Sequence, residues 1–262
     1  MENLNRFGFN LYSQRGEDGI LDYIFNHINI KRGLFCEFGA WDGVHLSNCA
    51  KLYDQGWSGI FIESDQKKYR DLLVNYFGTR YEKTARASSE IATYKVENRT
   101  ICTLNRKVEP FGEGSIDELL GSIKIDSLDL LSIDVDGLDY LIFKNMKLRP
   151  KVVVVEGGKY VDPTVDQENS DSPEDPYPGQ SLGCLQKVGK SKGYELVCFT
   201  QNAIFVAEEF AGNLSFPRDI VDLYMGGISR HTSGEDLQYI RHILTTYKIR
   251  NPFLESHLAS KR

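Results

Sequence analysis

From Leu34 to Asp65 the chain runs through a short apolar segment, a glycine-bearing turn, a helix-like stretch and a second apolar segment that stops at an acid. The first segment, Leu34-Phe35-Cys36, leads into Glu37-Phe38-Gly39-Ala40-Trp41-Asp42-Gly43, and the second, Gly59-Ile60-Phe61-Ile62, ends at Glu63. This order reads as strand, turn, helix, strand, acid, the start of an α/β sheet. Glycines let backbone approach a ligand closely. An acid at the tip of the next strand can accept both hydroxyls of a ribose. The pattern therefore points to a nucleoside-bearing cofactor.

The glycine spacing bears on which cofactor. A dinucleotide asks for a G-x-G-x-x-G turn, because its pyrophosphate sits on a helix N-terminus. Here the spacing is Gly39-x-x-x-Gly43, with Glu37 two residues before the first glycine. Asp42 would place negative charge where a pyrophosphate must lie. S-adenosylmethionine carries no phosphate, and its amino group and sulfonium are cationic, so Glu37 and Asp42 suit it better. Glu63 is the expected ligand of the ribose hydroxyls, with Ser64 beside it, and Gly39 and Gly43 are expected to line the methionine side.

Composition narrows the class. A length of 262 residues allows one large domain or two small ones. A net charge of −6 argues against a nucleic-acid partner and does not suit an anionic membrane surface. No apolar run approaches the ~20 residues that span a bilayer. The N-terminus lacks a signal-peptide pattern. The five cysteines are scattered, with no C-x-x-C pair, which fits a reduced, cytoplasmic setting.

Short apolar runs alternate with amphipathic stretches, as in an α/β sheet. Gly19 to Ile28 places Ile20, Leu21, Ile24, Phe25 and Ile28 on one helical face. Strands are expected at Leu34–Phe38, Ile60–Glu63, Thr100–Asn105, Leu128–Asp134 and Lys151–Glu156, the last apolar enough to be central and buried. Leu46, Cys49, Ala50 and Tyr53 form a helical stripe, so a helix is expected to begin around His45 and Asn48. Thr79 to Val96 is ambiguous. Gly157 to Pro178 carries six acids, four prolines and only one basic residue, Lys159, so it is not a core element. Either it is a solvated loop or it closes over a substrate. A helix at about Ser181–Ser191 precedes strands Tyr194–Thr200 and Ala203–Val206, joined by a turn at Gln201-Asn202. A hairpin makes its strands antiparallel, whereas a dinucleotide fold continues with parallel crossovers. From Glu208 the chain reads as helical, with Ser233 a candidate cap.

Four stretches together resemble FkbM-type S-adenosylmethionine-dependent methyltransferases. They are Tyr12-Ser13-Gln14-Arg15-Gly16-Glu17-Asp18-Gly19-Ile20-Leu21; Glu37 to Gly43 with Leu46-Ser47-Asn48; Ser132-Ile133-Asp134-Val135-Asp136-Gly137; and Pro150-Lys151-Val152-Val153-Val154-Val155-Glu156. The match extends to Gly189–Val197 and covers roughly Tyr12 to Val206. The resemblance implies a Rossmann-like class I sheet of about seven strands ending in an antiparallel hairpin, with helical N- and C-terminal additions. It implies transfer of a methyl group to oxygen on a sugar or small metabolite, often in surface-glycan or capsule biosynthesis. It also suggests that Gln14, Glu17 and Asp18 reach over the cofactor; a polar helix start favoured by the macrodipole is the plainer alternative. One departure stands out. Many methyltransferases place a glycine between the two named above, where this chain has Trp41. The backbone is expected to pass the methionine moiety by a different route, with the indole nearby.

The expected cofactor-binding set is thus Gln14, Glu37, Gly39, Gly43, Asn48, Glu63, Ser64 and Asp134. Asp134 and Asp136 end the fourth strand, where substrate approaches, and are the candidate catalytic groups. With Glu156 at the neighbouring tip, three readings stay open. Asp134, Asp136 and Glu156 can hold Mg²⁺ or Mn²⁺ through hard oxygen ligands; Asp136 can be a general base for a substrate hydroxyl; or Asp134 and Asp136 can cap the next helix. The expected unit is one domain over residues 1–262, with core 12–206 and a helical extension 207–262. That extension either builds part of the acceptor pocket or offers a face to a second copy in a homo-oligomer. The expected acceptor is a sugar, a nucleotide sugar or a phosphate-linked metabolite, with nitrogen an alternative to oxygen. Two rival classes are a nucleotide-sugar or nicotinamide oxidoreductase and a catalytically silent binding subunit.

Overall fold

The computed structural model describes residues 3–78, 91–96, 98–135, 137–168, 179–230 and 233–261. A 3-10 turn at Leu4–Phe7 and helix α1 (Glu17–His27) precede β1 (Leu34–Phe38). Then come α2 (Ala50–Asp54), β2 (Ser58–Ile62), α3 (Gln66–Phe77), β3 (Ile91–Val96), β4 (Arg99–Leu104) and α4 (Ile116–Ser122). The second half holds β5 (Leu130–Ile133), α5 (Asp139–Asn145), β6 (Val152–Glu156), α6 (Leu182–Ser191), β7 (Tyr194–Phe199) and β8 (Asn202–Ala207). Four helices close the chain: α7 (Glu208–Ala211), α8 (Ile220–Ile228), α9 (Gly234–Thr246) and α10 (Pro252–Ser260).

The strands form one eight-stranded sheet in the order β3-β4-β2-β1-β5-β6-β8-β7. β4, β2, β1, β5 and β6 are mutually parallel. β8 pairs antiparallel with both β6 and β7, and β3 pairs antiparallel with β4. The parallel strands are short and nearly continuous in apolar residues because both of their faces are covered. Successive side chains alternate between those faces. Phe35, Phe61, Leu130, Val152 and Val154 pack with α1 and α3 on one side, and Cys36, Ile60, Leu131, Val153 and Val155 with α5, α6 and α8 on the other. A mostly parallel sheet completed by an antiparallel hairpin is the Rossmann-like layout expected from the sequence.

Two elements differ from expectation. β3 adds an eighth strand at the edge, inside the stretch left ambiguous; residues 79–90 of that stretch lie outside the described residues. The helix after the glycine turn begins only at Ala50, although the apolar stripe starts at Leu46. Leu46 has a left-handed φ of 57°, which no α-helix contains. Residues 169–178 of the acidic segment are likewise outside the described residues. Ser181 and Ser233 cap α6 and α9, accepting from the amides of Cys184 and Asp236. All five cysteines are free thiols. Among the described residues no helix is long and apolar enough to cross a membrane.

β1 has β2 on one side and β5 on the other. The chain winds away from β1 in both directions, so the loops leaving β1 and β5 part and open a crevice at their carboxyl ends.

Candidate active site

A cavity of about 350 Å³ occupies that crevice. The turn after β1 lines it with Glu37, Gly39, Ala40, Trp41 and the 45–47 segment. The tip of β2 and the start of α3 add Ile62, Glu63, Ser64 and Lys68, and the loop after β4 adds Arg106, Lys107 and Val108. The ends of β5 and β6 add Asp134, Val135, Leu138 and Glu156. Its size suits a small ligand, and more than half of its lining residues are polar or charged.

Glu37 is the buried anchor of the β1 turn. One oxygen accepts the Ser47 hydroxyl at 2.5 Å and the other the Asn48 amide at 2.8 Å. Ser47 Oγ in turn accepts the amides of Cys49 and Ala50, so the first turn of α2 is capped by a side chain that is itself held by Glu37. Burial pushes the Glu37 carboxyl up to about 7, against the lowering effect of those donors. This arrangement is why α2 starts late: the amides of Asn48, Cys49 and Ala50 already have partners. Asn48 is buried behind the turn, donating to Ser132 Oγ at 3.1 Å, and does not line the cavity.

The two glycines serve packing. Gly39 has φ 71°, and a Cβ there would lie 1.5 Å from the Asp134 carbonyl oxygen. Only glycine lets the β1 turn pass that close to the end of β5. Gly43 has φ 75°, and a Cβ there would lie 2.5 Å from the Tyr76 ring, whose hydroxyl donates to the Gly43 carbonyl at 2.7 Å. Gly43 faces α3 and is not among the cavity-lining residues. Trp41 has φ 51°, the left-handed region that glycine normally fills. Trp41 thus keeps a glycine-like conformation in place of the different backbone route expected there, and carries an indole into the cavity wall. Asp42 turns inward on its own loop, accepting from the amides of Val44 and His45.

Glu63 is 5 % exposed and faces the same cavity. One of its oxygens accepts the Trp41 amide at 2.8 Å and the other the Asp65 amide at 2.7 Å. Asn105 holds the carbonyls of Glu63 and Ser64 at 2.8 and 3.3 Å. The carboxylate is therefore fixed in direction, and each oxygen keeps acceptor capacity beyond its one amide. Apolar Ile62 and Val108 flank it, with Lys68, Arg106 and Lys107 as the cationic part of the wall. None of these three cations is marked in the sequence by a motif; they are brought together by the start of α3 and the loop after β4.

At the tips of β5 and β6, ligand atoms of Asp134, Asp139 and Glu156 lie within 4.8 Å of one another. Asp136, expected in this group, lies outside the described residues. Asp139, missed in the sequence, is buried at the start of α5 and accepts the amides of Val135 and Gly137 at 2.8 and 3.0 Å. Burial raises its carboxyl to about 6, with Glu156 adding to the rise. An acid at the first position of a helix was its only sequence signal.

The N-terminal loop is built on two buried acids. Asp18 accepts the amides of Leu11, Tyr12 and Ser13 at 2.7–2.8 Å and the Ser13 hydroxyl at 2.9 Å. Glu17 accepts from Arg15 N, Thr200 Oγ1 and Asn202 Nδ2, tying the loop to the β7–β8 turn. Gln14 is exposed and is not among the lining residues. Arg15 makes a two-pronged bond to Asp236 of α9 at 2.7 and 3.1 Å. Lys159 donates to Gln201 Oε1 at 2.6 Å; burial lowers its ammonium, while Glu156 opposes the shift.

No family model and no curated protein matches the chain. Among solved structures, Haemonchus contortus phosphoethanolamine N-methyltransferase 2, in complex with phosphomonomethylethanolamine and S-adenosylhomocysteine, is similar at 14 % identity with a TM-score of 0.38. The match covers 92 % of this chain and 50 % of that one, so the chain spans about half of that relative's length.

Proposed function

We propose that this protein is an S-adenosylmethionine-dependent methyltransferase that modifies an oxygen of a small acceptor. The observation that carries the reading is the Glu63 carboxylate. It sits at the carboxyl end of β2, is steered by two backbone amides, and faces a cavity shared with the glycine turn of β1. Such a group suits the two neighbouring hydroxyls of a ribose. Ile62 and Val108 suit an adenine, and the carboxylates toward β5 and β6 suit a cationic amino-acid end. A dinucleotide fits less well. Its pyrophosphate needs amides at a helix N-terminus, and here the amides of Asn48, Cys49 and Ala50, leading into α2, are taken by Glu37 and Ser47.

When bound, S-adenosylmethionine supplies an electrophilic methyl group. The chain's own part is binding and orientation, which can account for much of the acceleration in such a transfer. Glu63 holds the sugar; Asp134 and Asp136 contact the acceptor hydroxyl or take its proton. Lys159, which donates to Gln201 and is electrostatically stabilised by Glu156, is the candidate cation for a phosphate-linked acceptor. The FkbM-type resemblance adds surface-glycan biosynthesis as the setting and residues 12–206 as the catalytic core.

A second reading, favoured by the closeness of Asp134, Asp139 and Glu156, adds Mg²⁺ or Mn²⁺, which would acidify a bound hydroxyl. Calorimetry with S-adenosylhomocysteine and with NAD tests the main reading: the first is expected to bind and the second not, and the reverse would replace the methyltransferase by an oxidoreductase. A screen with labelled methyl donor against nucleotide sugars and glycan precursors, run with and without EDTA, tests the rest. Turnover lost on chelation and restored by Mg²⁺ or Mn²⁺ supports the metal; turnover indifferent to EDTA removes it.

A further inference from the structure

Two large apolar side chains in the cavity wall, Trp41 and Leu46, are each 44 % exposed. Both stand on left-handed backbone, at φ 51° and 57°. L-residues adopt this region at a cost that glycine does not bear, and bulky ones seldom do. Their loop is held firmly from several sides. Asp42 closes its turn through Val44 and His45, Asn75 donates to the Asp42 carbonyl at 2.9 Å, and Tyr76 donates to the Gly43 carbonyl. The strain is therefore imposed by well-made contacts, and the two side chains are presented to the cavity while still half in solvent.

Trp41 is tied to the candidate ribose ligand through its own amide, which donates to Glu63 at 2.8 Å. Trp41 and Glu63 also line the same cavity, so a sugar held by Glu63 occupies the space that Trp41 borders. The indole makes loose contacts: the Lys68 ammonium lies 4.1 Å from the ring centroid and the His45 ring meets it edge-on at 5.2 Å. Neither contact removes it from water.

We infer that the Trp41 indole, with Leu46 beside it, is the apolar wall that covers the adenosine part of the bound cofactor. The inference rests on the reading of the cavity as a cofactor site. It explains why an aromatic residue stands where the backbone asks for glycine: the side chain gains its burial from the ligand. The fold itself leaves 44 % of it exposed.

The test is a titration with S-adenosylhomocysteine, followed by heat and by tryptophan emission, on wild type, Trp41→Gly and Trp41→Asn. Glycine and asparagine both accept the left-handed conformation without a ring. The other tryptophan, Trp57, is 1 % exposed in the core, so a ligand-induced change in emission reports on Trp41. Wild type is expected to shift its emission on binding, and both variants are expected to bind at least about tenfold more weakly with melting temperatures no lower than wild type. Variants that bind as tightly as wild type overturn the inference, as does unchanged emission on wild-type binding. A lowered melting temperature also overturns it, because the ring would then serve the fold. In these cases the methyltransferase reading stands. Failure of wild type to bind the ligand at all overturns both.

Discussion

Single residues decide how the crevice is built. Gly39 is where β1 and β5 come closest, and its missing side chain is what permits that approach. Gly39→Ala combines a left-handed φ with a clash against backbone that cannot rotate away. The expected loss is on the order of 4 kcal/mol, read from denaturant unfolding; a loss under about 1 kcal/mol would mean that the β5 end moves freely. Glu63 is the matching point on the ligand side. Glu63→Gln keeps the side chain's size and one carbonyl acceptor but discards the charge. Hydrogen bonds to charged groups contribute about 1.5–3 kcal/mol each, so calorimetry with S-adenosylhomocysteine is expected to show at least about tenfold weaker binding. Unchanged affinity would remove Glu63 from the site.

At the scale of elements, side-chain caps set where helices begin and how they dock. The clearest case is α10. Asn251 is fully buried; its Oδ1 accepts the amides of Phe253 and Leu254, and its Nδ2 donates to the Tyr160 carbonyl and to Tyr224 Oη. One side chain thus caps α10 and bonds it to α8 and to the segment after β6. Asn251→Ala removes the cap and leaves buried polar groups without a partner, at an expected cost of about 2–4 kcal/mol, measurable by thermal or chemical unfolding. A near-neutral result would show that water replaces the amide. The same logic explains α2. Its apolar spacing suggests a longer helix, but Glu37 and Ser47 occupy the amides at its start, and capping by a buried acid outweighs periodicity.

The whole molecule carries a pH signature. Burial raises Glu37 from 4.5 to about 7 and Asp139 from 3.8 to about 6. Below about pH 4 both groups are protonated in the folded and the unfolded chain alike. As pH rises the unfolded chain releases these protons first, while the folded chain retains them up to the raised values. Stability is therefore expected to fall between about pH 4 and pH 7 and then level off. Each pH unit of displacement is worth about 1.4 kcal/mol, so each group contributes on the order of 3 kcal/mol. Glu209, held down at about 2 by Arg149, acts in the opposite sense, but its contribution is complete above its ordinary value of 4.5. Unfolding by denaturant at pH 5 and pH 8 tests this, with Glu37→Gln expected to flatten a large part of the slope. Equal slopes in the two proteins would mean that Glu37 titrates normally.

Much of the frame was legible in the residues. The bounds of β1 fall at Leu34–Phe38 as expected, because a short apolar run bracketed by turn residues is a local signal. The hairpin of β7 and β8 and the cap of α9 were legible for the same reason. β3 was not, because an edge strand with polar residues acquires its identity from pairing with β4. The site divides in the same way. An acid at the β2 tip and glycines after β1 can be read in order along the chain. That Gly43 faces Tyr76, that Glu37 anchors Ser47 and Asn48, that Asp139 joins Asp134 and Glu156, and that Lys68 lies over Trp41 depend on strand order and helix docking. The amino-acid order alone determined the alternation of elements and the acid-and-glycine edge, since propensity and spacing act over a few residues. Only the tertiary structure decided which groups meet between distant loops and strands, as Glu17 meets Thr200 and Asn48 meets Ser132, since those partners lie far apart in the chain and meet through packing.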